Sequence, residues 1–167
     1  DNSKKDCAHL TDLVKTAVKN ACRDVHEAST KNLDQKGMGT TLTMLVILGK
    51  RGILAHVGDS RLYLRRNEKL YKLSVDHTLL AEMLAQGVPK DDLARGGMSM
   101  SHILTRAVGK DFSVKVDVLL FDVLPNDTFL LCSDGLSSVS DPLELETILS
   151  QGKLETISER LIELANQ

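Results

Sequence analysis

The spacing of apolar residues changes period at Thr41, and that change limits the chain to folds in which helix covers sheet. Leu10, Leu13, Val14, Ala17, Val18, Ala21, Val25 and Ala28 recur every three or four positions, leaving Lys15, Lys19, Arg23 and Asp24 for water. The spacing predicts one amphipathic helix lying on a core. From residue 41 to 74 short apolar or alternating stretches follow one another: 41–48, a Gly49-Lys50-Arg51-Gly52 turn, 53–57, 61–66, an Asn67-Glu68 turn and 69–74. They predict an antiparallel meander with one face buried, across which the first helix packs. Helical spacing returns at 78–86, where Asp76 is placed to cap and Gly87 to stop the helix, and again at 142–150 and 154–166. Residues 113–120 and 128–132 read as two further strands. The expected class is α+β, a single layered domain over residues 1–167 in which antiparallel sheet is flanked by helices.

Composition narrows the function classes. A net charge of −2 with Lys and Arg scattered along the chain argues against a nucleic-acid or anionic-membrane surface. Two Tyr, three Phe and no Trp supply little aromatic surface for stacking on bases. Cys7, Cys22 and Cys132 are odd in number and lack close spacing, which fits reduced thiols in the cytoplasm better than a disulfide framework or zinc site. No apolar run reaches the ~18 residues of a membrane span. Phosphate chemistry on so acidic a chain would require metal ions to offset charge.

Two stretches carry the chemistry. The apolar run 128–132 ends in Ser133-Asp134-Gly135, and the run 53–57 ends in Gly58-Asp59-Ser60, so each delivers a carboxylate to a corner after a strand. Gly and Asp are also ordinary turn formers. Behind a buried strand, however, Asp134 must be hydrogen-bonded or coordinated. Ser60 as an esterase nucleophile would need to enter a helix and to find a later Asp-x-x-His pair; the residues after it alternate as a strand, and no such pair exists. Gly37-Met38-Gly39-Thr40-Thr41 has the glycines of a phosphate-cradling loop but lacks the Lys and precedes a strand. Asp76-His77 reads as a helix cap beside an exposed histidine, and His56 as a packed core residue. The Gly-rich stretch 89–101 reads as a mobile connection or lid.

In order along the chain, Gly39-Thr40-Thr41, Val57-Gly58-Asp59-Ser60-Arg61, Asp76-His77, Leu104-Thr105-Arg106-Ala107-Val108-Gly109 and Leu131-Cys132-Ser133-Asp134-Gly135-Leu136 resemble the metal-dependent type 2C serine/threonine protein phosphatases of the bacterial kind. The resemblance runs from about residue 10 to the last residue. It implies an α-β-β-α sandwich that hydrolyses phosphoserine and phosphothreonine on proteins through a water activated by Mn²⁺ or Mg²⁺, with no protein nucleophile. It further implies that Asp134 coordinates a catalytic metal and Asp59 a more loosely held one, and that Arg95, Gly96, Gly97 and Met98 belong to a flap touching the substrate protein. Partners would be phosphorylated proteins and a cognate Ser/Thr kinase in cytoplasmic signalling, with no nucleic acid and no membrane.

The chain also departs from the family pattern. An Asp-Gly-x-Gly-Gly-His motif with the metal-bridging aspartate, a phosphate-binding Arg before it, and a closing Gly-Gly-x-Asp-Asn motif are absent. The expectation is the middle of a longer phosphatase, inactive when taken alone. The alternative is a non-catalytic regulatory binding module on the same fold.

Overall fold

The computed structural model describes residues 2–95 and 100–167. Helix α1 (Asn2–Lys31) extends beyond the amphipathic stretch at both ends, since no proline or glycine interrupts residues 2–31. The strands are β1 (Leu42–Leu48), β2 (Arg51–Val57), β3 (Arg61–Arg66), β4 (Lys69–Lys72), β5 (Asp117–Asp122) and β6 (Thr128–Cys132). Between β4 and β5 lie the short helices α2 (Leu79–Ala85) and α3 (Lys90–Arg95); after β6 come α4 (Asp134–Ser137), α5 (Pro142–Ser150) and α6 (Leu154–Ala165). Of the expected flap residues, Arg95 closes α3, and Gly96, Gly97 and Met98 lie outside the described residues.

Residues 41–74 do not form one meander. β1, β2 and β5 make one antiparallel sheet in the order β1-β2-β5, whereas β3 pairs with β4 and β6 in a second of order β4-β3-β6. The reason lies in how much of β2 and β3 is apolar. β2 is buried at every position from Gly52 to Val57, so both of its faces must be covered. Ala55 and Val57, each 0% exposed, pack with Val18 and Cys22 of α1 and with Val108 and Val116. The opposite face carries Leu54 and His56, and His56 Nε2 meets the carbonyl of Val75, just past β4, at 3.0 Å. On β3, Tyr63 joins Leu136, Leu145, Ile148, Leu149, Ile157, Leu161 and Leu164 in a cluster under α4, α5 and α6. The layers are therefore helix, sheet, sheet, helix. Each aliphatic side chain buried this completely stabilises the sandwich by about 1.5–3 kcal/mol.

Local signals account for most element ends. Asn67 and Glu68 take φ of 49° and 64° at the β3–β4 hairpin, as a primed turn requires. Asp141 caps α5 by accepting the Leu143 N–H at 2.7 Å, with Pro142 following as the first helical residue. The cap of α2 is Thr78, whose hydroxyl accepts the Ala81 N–H at 3.2 Å, and not Asp76, which the fold uses elsewhere.

Candidate metal site

Strand register brings the two corner aspartates to one edge. Arg61, the first residue of β3, is the cross-strand partner of Cys132, the last of β6. Asp59 lies two residues before Arg61 and Asp134 two after Cys132, so both emerge at the same end of the second sheet. Together with Arg61, Asp76, Ser101, His102, Ser137 and Ser138 they line a cavity of about 220 Å³. A larger cavity of about 450 Å³ between β6 and α6 is mainly apolar and gathers no charged groups.

Asp59 sits in the three-residue link by which the chain leaves the first sheet for the second. Its neighbours hold that link on both sides. Gly58 has φ of 109°, and a Cβ there would lie 2.6 Å from Thr41 Cβ, so glycine is required by both backbone and space. The Thr41 and Ser60 hydroxyls are 2.8 Å apart, and the Thr43 hydroxyl lies 2.7 Å from the Ser60 carbonyl. His77, 2% exposed, donates its backbone N–H to the Gly58 carbonyl at 2.8 Å and accepts the Gly58 N–H on ring Nδ1 at 3.0 Å.

Asp134 begins α4, and Arg61 anchors that helix. The guanidinium grips Asp76 through Nε (3.1 Å) and Nη2 (2.7 Å) and sends Nη1 to the Tyr63 hydroxyl (3.1 Å) and the Ser137 carbonyl (3.4 Å). Lys72 Nζ adds a second cation to Asp76 at 3.1 Å. Burial opposes ionisation of the Asp76 carboxyl, but its hydrogen bond from Arg61 and the charge of Lys72 outweigh burial and hold it below the usual carboxylate range. Burial likewise works against the Arg61 cation, and the Asp76 and Tyr63 hydrogen bonds overcome it, so the guanidinium is held even more firmly protonated than usual. Asp76 and Arg61 thus spend their charges on each other.

Asp59 has no such partner among the described residues. Burial pushes its carboxyl up, the charge of Asp134 pushes it further, and Asp76 adds to both. A hard divalent cation prefers carboxylate and water oxygens, which the two corner aspartates can offer. Among the described residues, no group of three or more His, Cys, Asp or Glu side chains is gathered closely enough to hold an ion.

Two site features were hidden in the sequence. Asp76-His77 looked like a cap with an exposed histidine, whereas Asp76 engages Arg61 and His77 holds Gly58. The residues 104–109 have a parallel use. Thr105 N–H donates to the His77 carbonyl at 2.9 Å, Arg106 Nη1 reaches Asp117 at 2.7 Å, and Val108 exchanges backbone hydrogen bonds with Thr40.

Residues 1–82 match the family model described as protein phosphatase 2C. The chain is 39% identical over 137 residues to the serine/threonine phosphatase stp of Listeria monocytogenes serotype 4b, covering 79% of this chain and 51% of that protein. It therefore spans about half the length of that curated relative. Among solved structures, the serine/threonine phosphatase of S. agalactiae superposes with a TM-score of 0.86 at 29% identity, over 95% of this chain and 65% of that one. The catalytic domain of the serine/threonine protein phosphatase PstP, solved with two manganese ions, superposes with a TM-score of 0.82 at 30% identity, over 93% and 64% of the two chains. Agreement in ordered motifs, in the α-β-β-α layers and in these relatives gives one conclusion: the chain belongs to the protein phosphatase 2C family.

Proposed function

We propose that this chain forms the body of a metal-dependent phosphatase acting on phosphoserine and phosphothreonine in proteins, with Asp59 and Asp134 as ligands of Mn²⁺ or Mg²⁺. The observation that carries the reading is the convergence of these carboxylates on one cavity, with the Asp59 corner locked by Gly58 and His77 and the Asp134 helix anchored by Arg61. When bound, the metal supplies Lewis acidity toward a phosphoryl oxygen and an activated water. The chain's own residues supply anionic oxygens at fixed positions. By the family resemblance, Asp134 holds the catalytic metal and Asp59 the more loosely bound one.

Ser101 and His102 form part of the cavity wall. Arg95, Gly96, Gly97 and Met98, shortly before them in the sequence, are assigned to contact with the substrate protein by the family resemblance. The reading pairs this phosphatase with a Ser/Thr kinase in cytoplasmic signalling; the free thiols of Cys22 and Cys132 support a reducing compartment. No helix among the described residues is long and apolar enough to cross a membrane.

A hard cation takes six or more oxygens, and two carboxylates supply at most four. The test is phosphate release from a phosphothreonine peptide over a Mn²⁺ titration. It compares residues 1–167 with a chain that also carries the Asp-Gly-x-Gly-Gly-His and Gly-Gly-x-Asp-Asn segments. Turnover is expected only in the fuller chain, lost in Asp134→Asn and shifted to higher Mn²⁺ in Asp59→Asn. A fuller chain that turns over normally with Asp134→Asn overturns the reading, and turnover by residues 1–167 alone overturns the requirement for the added segments.

A further inference from the structure

We propose that His77 is a positioning residue, held as the neutral tautomer with its proton on Nε2, that fixes the Asp59 corner and ties it to the Ser101–His102 wall of the cavity. The proposal rests on the metal-site reading above and names a residue that reading does not use.

The proton's place follows from the ring's two partners. The Gly58 N–H points at Nδ1 from 3.0 Å, so Nδ1 must offer a lone pair. Nε2 lies 3.0 Å from Asp117 Oδ2, an acceptor, so Nε2 must carry the hydrogen. The other oxygen of Asp117 takes Arg106 Nη1 at 2.7 Å, which keeps that carboxylate ionised and turned toward the ring. A second proton on His77 would drive two N–H groups against each other at Gly58. Burial also disfavours a charged ring; Asp117 opposes that effect, and the Arg106 cation reinforces it.

His77 also acts through its backbone. Its N–H holds the Gly58 carbonyl at 2.8 Å, so the residue before Asp59 is gripped at both its donor and its acceptor. Its carbonyl receives the Thr105 N–H at 2.9 Å, and the next residue, Thr78, bridges to Leu104. Ser101 and His102, just ahead of that ladder, line the cavity. One buried histidine therefore connects the carboxylate corner, the Ser101–His102 wall and, through Asp117, the first sheet. The His56 ring, centred 4.7 Å away, leaves His77 little room to turn.

The amide of asparagine reproduces Nδ1 of histidine, and the amide of glutamine reproduces Nε2. This separates a positioning role from mere filling of space. Mn²⁺ binding to residues 1–167 is measured from the EPR signal of free Mn²⁺, with Asp59→Asn as control. His77→Asn retains an acceptor for the Gly58 N–H and is expected to bind within about threefold of wild type. His77→Gln leaves that N–H orphaned and is expected to bind at least tenfold more weakly. Long-range ¹H–¹⁵N correlation on the wild-type chain is expected to show the Nε2–H tautomer at pH 7, a readout independent of variant folding. Equal Mn²⁺ binding by both variants, or an Nδ1–H or doubly protonated ring, overturns the proposal. Unchanged binding in Asp59→Asn overturns the metal-site reading instead, and the tautomer measurement still decides the assignment at His77.

Discussion

Replacing Gly58 with alanine should be costly for two reasons that can be measured apart. The first is the backbone: φ of 109° is a conformation that L-residues rarely adopt, and holding one there costs about 1–3 kcal/mol. The second is space, because the new Cβ would lie 2.6 Å from Thr41 Cβ and closer still to Thr41 Cγ2, an overlap worth about 1–3 kcal/mol. The sum is roughly 2–6 kcal/mol. At about 2–4 °C per kcal/mol for a domain of this size, Gly58→Ala should lower Tm by about 4–24 °C. Thr41→Ser removes Cγ2 while keeping the hydroxyl that meets Ser60 at 2.8 Å. In that background the alanine should cost about 1 kcal/mol less, the backbone part remaining. Thermal unfolding followed by circular dichroism, with the four proteins of the cycle, reads both quantities. A loss under 3 °C, or the same loss with serine at 41, would refute the account of this corner.

Three further outcomes follow from the site and the core. The Asp59 carboxyl is raised in the folded state, so without metal the folded chain holds a proton that the unfolded chain has released; stability should fall as pH rises from about 4 through the folded value and then level, and Asp59→Asn should abolish that fall in pH-dependent urea unfolding. Asp76 is lowered, so its contribution is present above the unfolded carboxylate range and lost as pH falls below about 4; Asp76→Asn should cost about 1–3 kcal/mol at pH 6, and the difference from wild type should shrink toward pH 3. Cys22, 0% exposed, accepts the Gly109 N–H and donates to the Asp111 carbonyl, each at 3.3 Å, so Cys22→Ala should cost about 1–3 kcal/mol by urea unfolding, where a purely space-filling thiol would cost less.

Much of this was legible in the sequence because the signals were local. The apolar run before Asp59 and the one before Asp134 end where the strands end, and the 142–150 helix begins at the proline that marks it. The split into two sheets was not legible as a split. Its trace is the run 53–57, apolar but for His56, which a strand with one wet face would not carry; read as part of a meander, it hid the crossing at Gly58. That crossing also explains the misreading of Asp76-His77. A cap is a local role, and Thr78 fills it from the adjacent position, whereas the Arg61 that grips Asp76 and the Gly58 that His77 holds are fifteen or more residues away and depend on how the sheets stack. Long-range hydrogen bonds of this kind leave no periodicity to read.

The central claim is that Asp59 and Asp134 reach one divalent ion, and the most direct measurement is Mn²⁺ binding by EPR titration of the wild-type chain, both single asparagine variants and the double variant. If the ion is shared, each single substitution weakens the same site at least tenfold, and the double variant shows no specific binding. Wild-type affinity in either single variant would contradict the claim.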